Sequence, residues 1–376
     1  GHTKGIDGAK ELEDGRILSW SSDCTLRLWD AMTGECLATL EGNTHVIWGA
    51  KELEDGRILS WSSDGTLRVW DAKTGECLVT IEGHTRGVGG AQQLKDGRIL
   101  SWAYDGTLRF WDADTGKCLA TLEAHSSEVR GFHQLKNGRI LSWSNDDYTL
   151  RLWDADTGQC LATLEGHTGP VYSVQQLKDG RILSWSSDCT LRVWDADTGK
   201  FLTALKGHTD WIDGIPQQLN DGRVLSWSDD ITLRVWDVDT GECLATLEGH
   251  TAGIRGAQQL EDGRVLSWSE DGTLRVWNLD KGRASTSPEG HADFLRGSQQ
   301  LKDGRILSSS DDGTLRVWDT VSGQCIATFK EHNSAVKGPK RINLFEGAQQ
   351  LKNGRILSWS WSERALRLWN EDTGKC

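Results

Sequence analysis

One segment recurs nine times from one end of this chain to the other, and that recurrence limits what the chain can become. Asp/Asn-Gly followed by Arg-Ile/Val-Leu-Ser begins at Asp14, Asp55, Asp96, Asn137, Asp179, Asp221, Asp262, Asp303 and Asn353. The period is about 41 residues, room for four short strands and their turns. A single sheet of that size cannot cover its own apolar faces. Stacking against neighbouring copies covers them, and a closed circle of copies leaves none bare. Length alone argues for two or three domains in 376 residues. The repeat overrides that argument, because only 4 Pro are present and no linker interrupts the copies.

The formal charge of −13 repels phosphate backbones, so nucleic acid is not an expected partner. No apolar run approaches a membrane span, and no export leader is visible, so neither a membrane nor secretion is expected. Six of the nine Cys, Cys36, Cys77, Cys118, Cys160, Cys243 and Cys325, hold one position in successive copies. Equivalent positions in a circle lie beyond disulfide reach. All nine therefore read as thiols of a reducing, cytoplasmic setting, and no CxxC or Cys/His cluster suggests a metal.

Residues 84–124 show the unit. Val88 to Leu94 reads as a first strand, and Asp96-Gly97 as a hairpin turn. Arg98 to Ala103 is a second strand and Asp105-Gly106 the next turn. Thr107 to Trp111 alternates as a third strand should. Asp112 to Gly116 turns again, and Lys117 to Leu122 is the fourth strand. Helical periodicity is absent.

The Gly-His opening, the Trp-Asp close (Trp70-Asp71, Trp111-Asp112, Trp194-Asp195) and their spacing resemble the WD-repeat (WD40) family over essentially the whole chain. The closeness of the copies resembles recently amplified bacterial members. The resemblance implies an all-β fold: one WD40-type β-propeller over residues 1–376. Its blades run approximately 1–41, 42–82, 83–123, 124–165, 166–206, 207–248, 249–289, 290–331 and 332–376. Nine sets of the three inner strands and eight outer strands give nine blades, the last without its outer strand; eight blades and a dangling copy is the alternative. The third strand of the ninth copy, Ala365 to Trp369, is then left with a bare edge that a neighbouring strand can pair with. Where the family usually carries Gly after the second-strand Ser, eight copies carry Trp: Trp20, Trp61, Trp102, Trp143, Trp185, Trp227, Trp268 and Trp359. Indoles of that volume at blade seams are expected to set the blade number.

Every complete copy holds a His, a Ser and an Asp, which invites a hydrolase reading. A nucleophile is needed once, beside an oxyanion hole. The resemblance implies instead a structural hydrogen-bond network of Asp, His, Ser and Trp. It covers His84, Ser101, Asp105 and Trp111; His167, Ser184, Asp188 and Trp194; and His250, Ser267, Asp271 and Trp277. The second copy departs with Asn43, and the ninth with Ser362-Glu363. Asp71 to Gly75 and its equivalents read as hairpin turns rather than calcium loops. The Gln-Gln pairs, such as Gln92-Gln93, read as the solvated lining of a central channel. No catalytic residue, cofactor or metal is expected.

Where scaffold duty ends, copies diverge. Five residues after the His, or after Asn43, stand Asp7, Trp48, Gly89, Arg130, Tyr172, Asp213, Arg255, Arg296 and Lys337; three residues after it, Trp211 and Phe294 appear. The resemblance places this segment in a loop on the partner-binding face. Aromatics and Arg carry interface energy; drift of exposed residues is the competing reading. The ninth copy adds an insert within 338–346, and Lys340 and Arg341 join Arg255, Arg296 and Lys337 in a basic sector suited to an acidic protein segment. The chain is thus expected to be a non-enzymatic scaffold for a protein or peptide, in bacteria often the sensing part of a longer signalling protein. A glycan-binding propeller using exposed aromatics is the alternative.

Overall fold

The computed structural model describes residues 1–212, 214–279, 283–286, 290–320, 322–330, 347–360 and 365–370. Among them there is no helix. The strands form nine antiparallel sheets in strict chain order, eight of four strands and a last one of three. Nine blades therefore form, and the eight-blade alternative is set aside. The third blade is built of Val88–Gln93, Ile99–Ala103, Thr107–Trp111 and Cys118–Glu123, each within a residue of its predicted bounds. Two compact units are distinguished, residues 1–176 with 195–201, and 177–194 with 202–376, the boundary running through the fifth sheet.

The core lies between sheets. Neighbouring residues of a strand point to opposite faces, and here both faces are covered. Leu100, Leu108 and Phe110 pack with Val129, Phe132, Ile140 and Trp153 of the fourth blade. Ile99 and Trp111 pack the other way, with Leu59, Leu67 and Val69 of the second. This explains the unbroken Ile-Leu or Val-Leu pair in each second strand. Each fully buried Leu or Ile contributes about 1.5–3 kcal/mol.

The repeated Trp sits at these seams, where sequence reasoning put it. In most blades it also stands over a glycine of its own inner strand. Trp20, Trp61, Trp102, Trp143 and Trp268 stand directly opposite Gly8, Gly49, Gly90, Gly131 and Gly256 in the ladder. A Cβ on any of these glycines would fall 2.0–2.3 Å from the indole, so a side chain there would force the indole to shift. From the third blade the indole reaches on to Phe132, with ring centroids 5.1 Å apart.

Two sets of latches recur between neighbouring blades and use backbone atoms. The second residue of the inner Gln-Gln pair gives its side-chain oxygen to a turn N–H of the preceding blade: Gln93 to Glu54 N at 2.9 Å, Gln218 to Lys178 N at 2.7 Å, Gln259 to Asn220 N at 2.9 Å. These amides are fasteners, a duty the solvated-lining reading missed. In return the turn Arg donates forward to a carbonyl in the third turn of the following blade, as Arg57 does to Ala113 O at 3.3 Å and Arg181 to Val238 O at 3.2 Å.

The sixth blade departs from the pattern. One extra residue and Pro216, which has no N–H to offer a ladder, shorten its inner strand to Gln217–Gln218. An isolated bridge, Ile212 to Ser228, holds the chain just ahead. Trp211 and Ile215 are left 57% and 64% exposed.

Candidate functional site

The four-residue hydrogen-bond network is complete in the third and seventh blades. In the third blade His84 Nδ1 bonds Asp105 at 3.0 Å, His84 Nε2 bonds Ser101 Oγ at 2.6 Å, and the Trp111 indole N–H donates to the same Oγ at 2.7 Å. The seventh repeats it through His250, Asp271, Ser267 and Trp277, every distance 2.8 Å. In the fifth, Trp194 donates to Ser184 at 2.8 Å, Asp188 accepts from Thr190, and His167 is buried. Ser101, Ser184 and Ser267 are wholly buried with Oγ engaged by an indole, so no substrate reaches them as nucleophiles. Burial lowers the pKa of His84, against the pull of Asp105. Burial raises a carboxylate's pKa, yet hydrogen bonds from His125 and the Thr149 N–H bring Asp147 down to about 2.

The second blade keeps half of this. Trp70 still donates to Ser60 at 2.9 Å. Asn43 turns away, its oxygen accepting from Arg68 Nε at 3.2 Å, and its buried Nδ2 has no partner among the described residues. The exposed His45 approaches Asp64 from outside at 3.5 Å. In the ninth blade Trp369 donates to Ser358 at 3.0 Å; Ser362 and Glu363 lie outside the described residues. The turn carboxylates are occupied too: Asp71 accepts from the N–H groups of Lys73 and Thr74 at 2.7 and 2.8 Å.

The divergent positions are not in a loop. Seven of them, Asp7, Trp48, Gly89, Arg130, Tyr172, Arg255 and Arg296, are each the second residue of an inner strand, and in six blades the ladder slips there: Ile6 pairs with Ser21 and Gly8 with Trp20, which leaves Asp7 over. The same slip isolates Trp48, Gly89, Arg130, Arg255 and Arg296. A bulged residue has no ladder partner, and its side chain is turned out of the pleat. That frees it to vary while its neighbours stay fixed.

A second varying position, fifteen residues on and ahead of the Asp turn, answers the first. Ser22 donates to Asp7 at 2.8 Å; burial raises the Asp7 pKa and this bond opposes it. With its amide oriented by its surroundings, Asn145 accepts from Arg130 Nε at 2.9 Å. Arg255 Nε donates to Glu270 at 3.0 Å, and its Nη1 lies 3.3 Å from Asp229. Arg296 forks onto Asp311 at 2.8 and 2.6 Å. Trp48 instead stacks on Tyr104 of the next blade, centroids 5.3 Å apart. The expected basic sector is therefore largely self-neutralised where described. Asp213, Lys337, Lys340, Arg341 and the 338–346 insert lie outside the described residues. Phe294 is half-buried, while Trp48 and Tyr172 are each 39% exposed. Sequence reasoning missed Ile215 and the answering positions. Matched changes within one copy, Arg255 with Glu270 and Arg296 with Asp311, were the available signal.

The family model for the WD domain, G-beta repeat, matches residues 34–71, 75–112, 116–154, 158–195, 241–278 and 283–319, more than half of the chain. A search of curated proteins finds no match. Among solved structures, the chain is similar to the computationally designed Ika8 protein in a P63 crystal packing. The two share 32% identity over 85% of this chain and 97% of that one, with a TM-score of 0.64.

Proposed function

Because this chain belongs to the WD40-repeat family, we propose that it is a non-enzymatic scaffold that holds a protein or peptide segment against its bulged inner-strand residues. One observation carries the reading: variation is concentrated on the residue each bulge releases from the ladder, while the scaffold around it repeats. Rigid elements that present variable side chains suit recognition. Trp48 and Tyr172 are exposed aromatics on such elements, and Trp211 is exposed beside an isolated bridge; aromatics are the residue types that anchor interfaces. The matched carboxylates beside Arg255 and Arg296 favour an apolar or aromatic anchor in the partner over a purely acidic one. An acidic segment would rest on Lys337, Lys340 and Arg341.

The test is selection of displayed peptides on the intact chain, followed by affinity measurement. Trp48→Ser and Trp211→Ser should each weaken a selected peptide by roughly 30-fold, the loss of one strong anchor. Charge reversal at Lys337, Lys340 and Arg341 should matter only for acidic peptides. Unchanged affinity in all three variants would remove this face from consideration. A glycan array run in parallel separates the lectin alternative, which requires binding without any peptide.

A further inference from the structure

The eighth blade lacks the indole its siblings carry. Ser309 stands opposite Gly297 in the ladder, and a Cβ there would meet only the Ser309 hydroxyl, at 3.6 Å. The place is not refilled. A cavity of about 220 Å³ opens there, lined by Arg296, Gly297, Ser298, Gln299 and Ser309, with Ala348 across the seam in the ninth blade.

A second change in the same copy meets the first. The residue just ahead of the inner-strand polar pair is Ala9, Ala50, Ala91, Phe132, Val174, Pro216, Ala257 and Ala348 in the other copies; here it is Ser298. The Ser298 Oγ and the Gln299 Nε2 are buried atoms without a hydrogen-bond partner among the described residues. Burying such groups unpaired costs about 1–3 kcal/mol each. The copy that loses its indole thus gains an unmet hydroxyl and an unmet amide donor in one cavity. Arg296 adds no net charge, since Asp311 holds its guanidinium.

We propose that this cavity is a binding site for a small, neutral, planar heteroaromatic molecule of indole size that carries a hydrogen-bond acceptor. The ring takes the place the indole has in the other blades, lying over Gly297 as Trp268 lies over Gly256. Its acceptor meets Gln299 Nε2, and Ser298 Oγ serves an N–H or a second acceptor. Apolar cavities of similar size bind benzene; the polar atoms here select for a heteroatom.

Calorimetric titration of the full chain with two probes tests the site. Benzimidazole has a ring acceptor and indole does not. Benzimidazole should bind with one site per chain, and indole more weakly. Ser309→Trp, the residue eight other copies accommodate, should abolish binding of both. Gln299→Leu should weaken benzimidazole roughly fivefold, the loss of one neutral hydrogen bond, while indole changes less than about twofold. Trp268→Ser should raise the indole stoichiometry from one to two. Absence of binding by either probe would mean that solvent alone fills the space and would overturn the proposal. So would equal binding by Ser309→Trp. Should that variant fail to fold, Gln299→Leu decides: an equal loss for both probes, or none for either, counts against the site.

Discussion

Blades two and three share nearly every scaffold residue, yet one closes its polar network and the other leaves it half made. In blade three His84 joins Asp105 to Ser101, and Ser101 carries Trp111. In blade two Asn43 is too short for that bridge, so Ser60 carries Trp70 alone and Asp64 leans on Thr66, Thr44 and an outside His45. The seam packing is the same in kind on both sides of this difference. Apolar stacking therefore builds the blade, and the network fastens its turn to its strands. A satisfied buried network rigidifies; a partly satisfied one leaves a costly atom, here Asn43 Nδ2.

The comparison breaks hardest at the shared hydroxyl. Ser101→Val strips partners from both His84 and Trp111 and should cost about 3–5 kcal/mol in urea unfolding. Ser60→Val, which strands only Trp70, should cost about 1–3 kcal/mol. Equal losses would mean that the His bond adds nothing. Next in size is exchange of the differing residue. His84→Asn should lose about 1–3 kcal/mol, and Asn43→His should recover a smaller amount, read as opposite shifts of the unfolding midpoint.

Acid sharpens the contrast. The His84 pKa is lowered on folding by burial. Its contribution is therefore complete above the unfolded value near 6.5 and is lost as pH falls below it. Asp105 and Asp64 also lie below the ordinary range, in each case despite burial and through hydrogen bonds led by Thr107 and Thr66. Their contributions hold above about pH 4 and fade beneath it. His84→Asn should lessen the slope of the stability profile as pH falls below about 6.5 and leave the steeper fall below about pH 4, as urea midpoints across that range would show. The smallest effect belongs to His45→Ala. An exposed pair at 3.5 Å should be worth under about 1 kcal/mol, and its removal should leave the midpoint nearly still.

The same contrast separates what could be read in the residues from what could not. His, Ser, Asp and Trp at fixed spacing announce the network, and Asp-Gly turns announce the hairpins, because each is a local signal. Trp48 and Arg296 were legible as exceptional, but their seat was not. A bulge is one unpaired residue against two registers, and a single strand carries no trace of its partner's count. The Gln93 latch and the eighth-blade cavity were hidden for a related reason: both depend on what the adjoining blade offers, Glu54 N in one case and Ala348 in the other.

The forward latches have a consequence of their own. Gln93 reads an amide hydrogen of the adjoining blade, and Arg57 a carbonyl oxygen together with the exposed Asp114 carboxylate beside it. The first joint inspects no side chain on the far side, and the second meets only a surface turn residue. A copy inserted by duplication would meet both neighbours ready to fasten, with no new recognition to invent. Such joints ask little of identity, and a molecule made of them can lengthen by whole units while each unit acquires a face of its own.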